Sequence, residues 1–262
     1  LPVGEWKILE ADKGLSGTQF GGLDQTYLFL DAQLIYGSDG GMSEWVKLQL
    51  TRNDVGLIDY AYTPNQRATA TGIDSLKNTG STLYNKVLGL SSQTNIADVY
   101  DQLSGEIHAS LHGALLNYDR SFGRAMQQRL IRKNYREGYP LWVTVDSYRS
   151  NADRGEDYNT ARTKMNGTGF SLGGETMLND WVVGTALRYG NSELNVDKRH
   201  SKADIDSYSL GIYGSRAFDQ WQFSLGGSYA WHEVETKRRV VEPSLAQRLK
   251  GDYSVQTLQL FS

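Results

Sequence analysis

His108 and His112 are the first residues whose spacing suggests chemistry, because two histidines four apart on a helix can both ligate zinc. A hydrolytic zinc helix carries glutamate directly after its first histidine. Ala109 stands there instead and no third ligand lies nearby, so the pair reads as one polar helix face. A nucleophile elbow needs Gly-x-Ser-x-Gly, and Gly14-Leu15-Ser16-Gly17 lacks that spacing. Gly167-Thr168-Gly169 and Gly173-Gly174 sit inside strand-like alternation rather than ahead of a helix, so they read as close strand approaches and not as a phosphate loop. With no cysteine, the chain has no thiolate nucleophile, thiolate metal site or disulfide framework. No catalytic, cofactor or metal site is expected.

The elements that would position any other site show first in composition. The 262 residues include 28 glycines and 16 tyrosines but only 4 prolines. That balance suits long β-ladders, since proline removes a ladder donor and aromatic residues fit pleated surfaces. A net charge of -3 argues against a nucleic-acid partner, which would leave a basic footprint. No run of about 18 apolar residues exists, so no transmembrane helix is expected. The mean hydropathy of -0.50 does not exclude a membrane barrel, because barrel strands turn half their residues to a polar lumen. Leu1-Pro2-Val3-Gly4 opens no signal peptide, so any export signal is expected upstream.

Periodicity divides the chain into three. Residues 1–63 read as short strands, among them Trp45-Val46-Lys47-Leu48-Gln49-Leu50, punctuated by Ser38-Asp39-Gly40-Gly41. Residues 64–139 turn helical. Pro64 marks a start, Asn78-Thr79-Gly80 a stop, and Ser81 and Asn95 are N-cap candidates. Ile96, Val99, Tyr100, Leu103, Ile107, Leu111, Leu115 and Tyr118 then form one amphipathic stripe, weakened by about 1 kcal/mol at each of Gly105 and Gly113. A basic stretch follows with Arg120, Arg124, Arg129, Arg132 and Lys133.

Residues 140–262 return to a period of two with strands of about ten residues. Trp221, Phe223, Leu225, Tyr229 and Trp231 fall on one face; Gln222, Ser224, Ser228, Ala230 and His232 fall on the other. Short connections such as Asn179-Asp180 alternate with long polar ones at 150–162 and 195–204, the rhythm of an outer-membrane barrel. Trp181, Tyr189, Trp221 and Trp231 at strand ends are candidate membrane-interface aromatics. A soluble antiparallel sheet shows the same alternation but averages shorter strands.

Ordered phrases along the chain resemble a known family. Trp6-Lys7-Ile8-Leu9, Gly14-Leu15-Ser16-Gly17 and Leu48-Gln49-Leu50-Thr51-Arg52-Asn53-Asp54 look like the end of a pertactin-like autotransporter passenger. Thr63-Pro64-Asn65-Gln66-Arg67-Ala68 resembles the start of the linker that follows. Leu103-Ser104-Gly105-Glu106-Ile107-His108-Ala109-Ser110 resembles the phrase found upstream of autotransporter barrels, and Trp142-Val143 the opening barrel strand. The resemblance implies a mainly β chain: C-terminal β-helix coils of a passenger (1–63), an α-helical linker (64–139), and antiparallel strands of a transmembrane β-barrel (140–262). It implies a bacterial outer-membrane anchor that supports secretion and surface folding of its own passenger, with outer-membrane lipid and the barrel assembly machinery as partners. An adhesin whose barrel is only an anchor is the alternative. Self-cleavage at paired asparagines is not expected, because no Asn-Asn pair occurs.

Two further expectations follow. About six strand candidates fall short of the roughly twelve the family barrel uses. The sheet is therefore expected to be incomplete, as a truncated chain or an assembly intermediate would be. In a barrel lumen, Arg120, Arg124 and Arg129 are expected to face carboxylates such as Glu175 and hold the helix as a plug; a solvated helix face is the plain alternative.

Overall fold

The computed structural model describes residues 2–131, 141–155, 157 and 159–262, so Arg132, Lys133 and the expected boundary at 139/140 lie outside the described residues. The chain forms two compact units, Leu1–Ser104 with Val240–Gln247, and Gly105–Arg239 with Arg248–Ser262.

In the first unit, strands β1 (Gly4–Ala11), β2 (Leu30–Ser38) and β3 (Glu44–Arg52) make a sheet in the order β1-β3-β2. Both pairings are antiparallel. This differs from the β-helix coils expected over 1–63, which stack strands in parallel. The reason is local: Gly40 at φ 89 lets the chain reverse between β2 and β3, so that Ser38 pairs with Glu44. Behind the sheet lie α1 (Pro64–Asp74), α2 (Thr82–Leu88) and α3 (Ile96–Leu103). Thr63 and Gln66 close a capping box at the start of α1 and Pro64 sits in its first turn, while Ser81 and Asn95 cap α2 and α3.

The core of this unit gathers Phe29, Leu30, Leu57, Val87, Leu90, Val99 and Tyr100, and its wall is completed by Val240 and Leu245 from far down the chain. The Gln102 side-chain oxygen accepts the Val241 amide at 2.8 Å, fixing that late segment in place. Tyr100 donates to the Leu57 carbonyl at 2.6 Å, and burial pushes its hydroxyl well above the usual tyrosine range. Arg52 donates to the carbonyls of Phe29 (2.9 Å), Asn53 (2.8 Å) and Val55. One guanidinium thus satisfies three carbonyls where β3 ends.

The single long amphipathic helix expected after Asn95 is two helices. Gly105 adopts φ 67, a left-handed value that glycine reaches without a Cβ penalty, and the chain breaks there between α3 and α4 (Glu106–Ile131). The stripe runs through both because both bury a face.

The second unit holds α4 and six strands: β4 (Leu141–Ala152), β5 (Thr163–Leu178), β6 (Trp181–Val196), β7 (Ser201–Phe218), β8 (Trp221–Val240) and β9 (Gln247–Phe261). They form one sheet in sequence order, with antiparallel registers from β4 through β8. Among the described residues no further strand covers β4 or β9, and the sheet is open. Asn179 (φ 55) and Asp219 (φ 51) shape the tight turns at one end, residue types that tolerate the left-handed region. At the other end the ladders run on to Ala152↔Thr163 and Val196↔Ser201. The loops expected at 150–162 and 195–204 are therefore shorter, because polar side chains there alternate on paired strands instead of filling a loop.

Candidate functional site

The sheet has two faces, and α4 covers one of them. Ile107, Leu111, Leu115, Tyr118, Phe122, Met126 and Leu130 recur at three- and four-residue steps down the buried side of the helix. They pack on Met165, Leu194, Ala203, Ile205 and Val234 toward one end, and on Trp142, Val182, Ala186 and Tyr213 toward the other. Small residues on the sheet make room. The Tyr118 hydroxyl fills the place a Cβ would take on Gly190, and Met126 crowds that of Gly211. Any larger side chain at Gly190 would displace the tyrosine.

Polar groups on this face are paired at four places along the helix. At its start, Glu106 binds Arg199 at 2.7 Å and accepts the Ala161 amide, and Arg199 also donates to the Asn159 carbonyl at 2.7 Å. One turn from the middle, Arg188 donates to Ser121 (2.6 Å) and Asp146 (2.7 Å) and lies over the Tyr118 ring. Asp119 meets His232 Nε2 at 3.1 Å and accepts from Thr257, while the other His232 nitrogen contacts Ser207 at 2.8 Å. Near the far end, both Glu175 oxygens accept from Arg129, at 2.9 and 3.3 Å. Tyr213 donates to the same carboxylate at 2.8 Å, and Trp142 Nε1 donates to Tyr213 at 2.8 Å. Buried charges cost several kcal/mol each unless paired with good geometry, so each of these sets is held by its partners. In addition, Gln259 donates to the Leu116 carbonyl and Gln222 to the Leu130 carbonyl, tying helix backbone to sheet side chains.

Of the basic residues singled out in the sequence, Arg129 meets Glu175. Arg120 is exposed and bonds Asn117 on its own helix at 3.1 Å, and Arg124 is exposed. Neither is brought to Glu175. His108 meets the Tyr253 hydroxyl at 2.9 Å, whereas His112 is exposed. The sequence reading missed Glu106, Asp119, Asp146, Arg188, Arg199, Tyr213 and His232. Part of the signal was present: Arg188 and His232 fall on the small-residue side of the alternation, where a charge needs a partner.

The uncovered face is apolar and exposed. Val145 is 76% exposed, Ile212 66% and Leu260 80%. Registers align Phe170, Tyr189, Tyr208 and Trp231 into one aromatic row across β5 to β8. Trp221 lies on this face at the tight-turn end of β8, 74% exposed, and Trp181 is half-buried at the matching end of β6. Beyond the aromatic row the same face turns charged. Asn166, Glu193, Asp204 and Glu235 form one row, and Lys164, Asn195, Lys202 and Lys237 the next. Lys202 bridges Glu193 (2.6 Å) and Asp204 (3.0 Å), and Lys237 bridges Asp204 (3.1 Å) and Glu235 (3.2 Å).

Residues 141–262 match the family described as Autotransporter beta-domain. Two proteins of Serratia marcescens, each named extracellular serine protease, are similar over longer stretches. One is 24% identical over 306 aligned positions, covering 98% of this chain and 28% of the relative. The other is 27% identical over 190 positions, covering 70% of this chain and 18% of the relative. The chain thus spans less than a third of the length of these curated relatives.

Proposed function

We propose that residues 141–262, which match the Autotransporter beta-domain family, anchor in the outer membrane, and that the chain as a whole joins the end of a secreted passenger to that anchor and supports the passenger's export and folding at the cell surface. The carrying observation is the exposed apolar face of the sheet, opposite a helix-covered face that mixes apolar packing with ion pairs and histidine. A soluble sheet buries its apolar side. Lipid is the solvent in which this arrangement is stable.

In this reading the aromatic row Phe170-Tyr189-Tyr208-Trp231 sits at one membrane interface, and Trp181 and Trp221 at the other. The helix-covered face lines the pore, with α4 seated in it as a plug held by Arg129–Glu175, Asp119–His232 and Glu106–Arg199. Unpaired strand groups in lipid cost several kcal/mol each, so β4 and β9 require further strands, from the same protein or from the barrel assembly machinery during insertion. The first unit ends the passenger and stands at the surface. Proteolysis belongs to the names of the relatives, of which this chain covers 28% and 18%. To this stretch we assign anchoring and translocation rather than catalysis.

Fractionation of expressing cells tests the reading. The chain should remain in outer membranes through a urea wash. Release into the wash as a monomer that needs no detergent would overturn the membrane assignment.

A further inference from the structure

The charged rows beyond the aromatic row end in a cleft with an excess of cations. It is formed by the β6–β7 connection and the facing ends of β8 and β9, and it is lined by Lys198, Lys202, Lys237, Arg239, Arg248 and Lys250. Asp197 is the single carboxylate among its lining residues, and it pairs with Lys164 at 3.3 Å. Lys202 and Lys237 are committed to the acidic row below. Among the described residues, no carboxylate lies within ion-pair distance of Lys198, Arg239, Arg248 or Lys250. All four are exposed, and burial alternation puts Arg248 and Lys250 on the face that carries Leu258 and Leu260. In a chain of net charge -3 this concentration is local.

We propose that this cleft binds the phosphorylated oligosaccharide of an outer-leaflet glycolipid. The inference rests on the barrel reading above, which makes this face point outward into the lipid and its overlying sugars. Charge selects a polyanion, because arginine forks and lysine ammonium groups both suit phosphate. Height selects its source. Arg239 lies eight residues past Trp231 on β8. At about 3.3 Å per residue and a strand tilt of roughly 40°, that is about 20 Å above the aromatic row. Phosphates of bilayer headgroups lie near the level of the aromatics, too low to reach. Phosphates on a sugar chain rising from the bilayer lie at the level of the cleft.

The experiment uses the full chain in detergent micelles, titrated with a deacylated phosphorylated outer-leaflet oligosaccharide. The same glycan after removal of its phosphates, inorganic phosphate, and phosphatidylglycerol vesicles serve as comparison probes. The intact glycan should bind at least tenfold more tightly than the dephosphorylated one, and more weakly as salt rises. The triple variant Arg239→Gln, Arg248→Gln, Lys250→Gln should lose at least tenfold in affinity with an unchanged circular-dichroism spectrum. A second variant with Arg239→Lys and Arg248→Lys should keep most of the binding. Equal binding of both glycans, or indifference to the triple variant, would overturn the proposal. So would an equal loss of vesicle or inorganic-phosphate binding, which would mark a general anion patch. Urea extraction of the same chain separates the two readings. A chain that leaves the membrane in urea overturns both, and one that stays but ignores the phosphorylated glycan overturns this one alone.

Discussion

At the scale of single residues, the buried carboxylate Glu175 carries most consequence, because Arg129, Tyr213 and, through it, Trp142 all depend on it. Glu175→Gln keeps the shape but removes the charge that Arg129 needs. Hydrogen bonds to charged groups contribute about 1.5–3 kcal/mol, and this variant weakens two of them. Amide exchange in the last turns of α4 should therefore rise by roughly tenfold to a hundredfold. Arg124→Ala should leave it unchanged, since Arg124 is exposed. Tyr100 gives a pH test in the first unit. Its folded-state pKa is raised by burial, so its contribution is fully present below the unfolded tyrosine value of about 10 and is lost as pH climbs above it. Tyr100→Phe should flatten the alkaline fall in the denaturation midpoint, at a cost of about 1 kcal/mol at neutral pH from the lost bond to Leu57. A sequence can nominate Arg129 and Glu175 by charge and order. It cannot choose between Arg124 and Arg129, which differ only in the angle at which α4 meets the sheet, and that angle is set by distant partners such as the Gly190 notch.

At the scale of elements, the helix break at Gly105 decides between two chemically plausible readings. Were the stripe one continuous helix, Gly105→Ala would stabilise it by about 1 kcal/mol. With φ at 67, the same change should destabilise the protein by roughly 1–3 kcal/mol, measured by urea denaturation. Periodicity could not locate the break, because Ile96 to Leu103 and Ile107 to Leu115 keep the same step across it while burying their faces in different units. Helix starts were legible: Pro64 opens α1, and Ser81 and Asn95 cap α2 and α3, since the signal lies within four residues. Pairing partners were not. The short N-terminal strands alternate equally well for a parallel coil stack and for the antiparallel sheet they form, and only the reversal at Gly40 separates the two.

At the scale of the whole molecule, the two-faced sheet makes one demand on its surroundings. Ile212→Arg places a cation in the middle of the exposed apolar band. In lipid it should cost about 2–4 kcal/mol and reduce the urea-resistant membrane fraction. In water the same change should be close to neutral, so a null result would argue for a soluble protein. Long alternation in β5 to β9 made this sheet readable from sequence, because a period of two needs no knowledge of partners. Which parity stays exposed also followed, from the aromatic and aliphatic residues gathered on one side. The part of the ion-pair rows between Asn195 and Asp204 was expected as loop, since charge alternating on a paired strand looks locally like polar connection.

Val240 and Leu245 bring timing into the molecule. The first unit cannot finish its interior from its own contiguous stretch, because the missing wall arrives more than a hundred residues later in the order of synthesis. A ribosome delivers that wall last. A chain threaded outward with its C-terminal end leading would find it already waiting. The first unit is thus unfinished as a contiguous stretch, and its interior closes only once the segment between β8 and β9 has arrived.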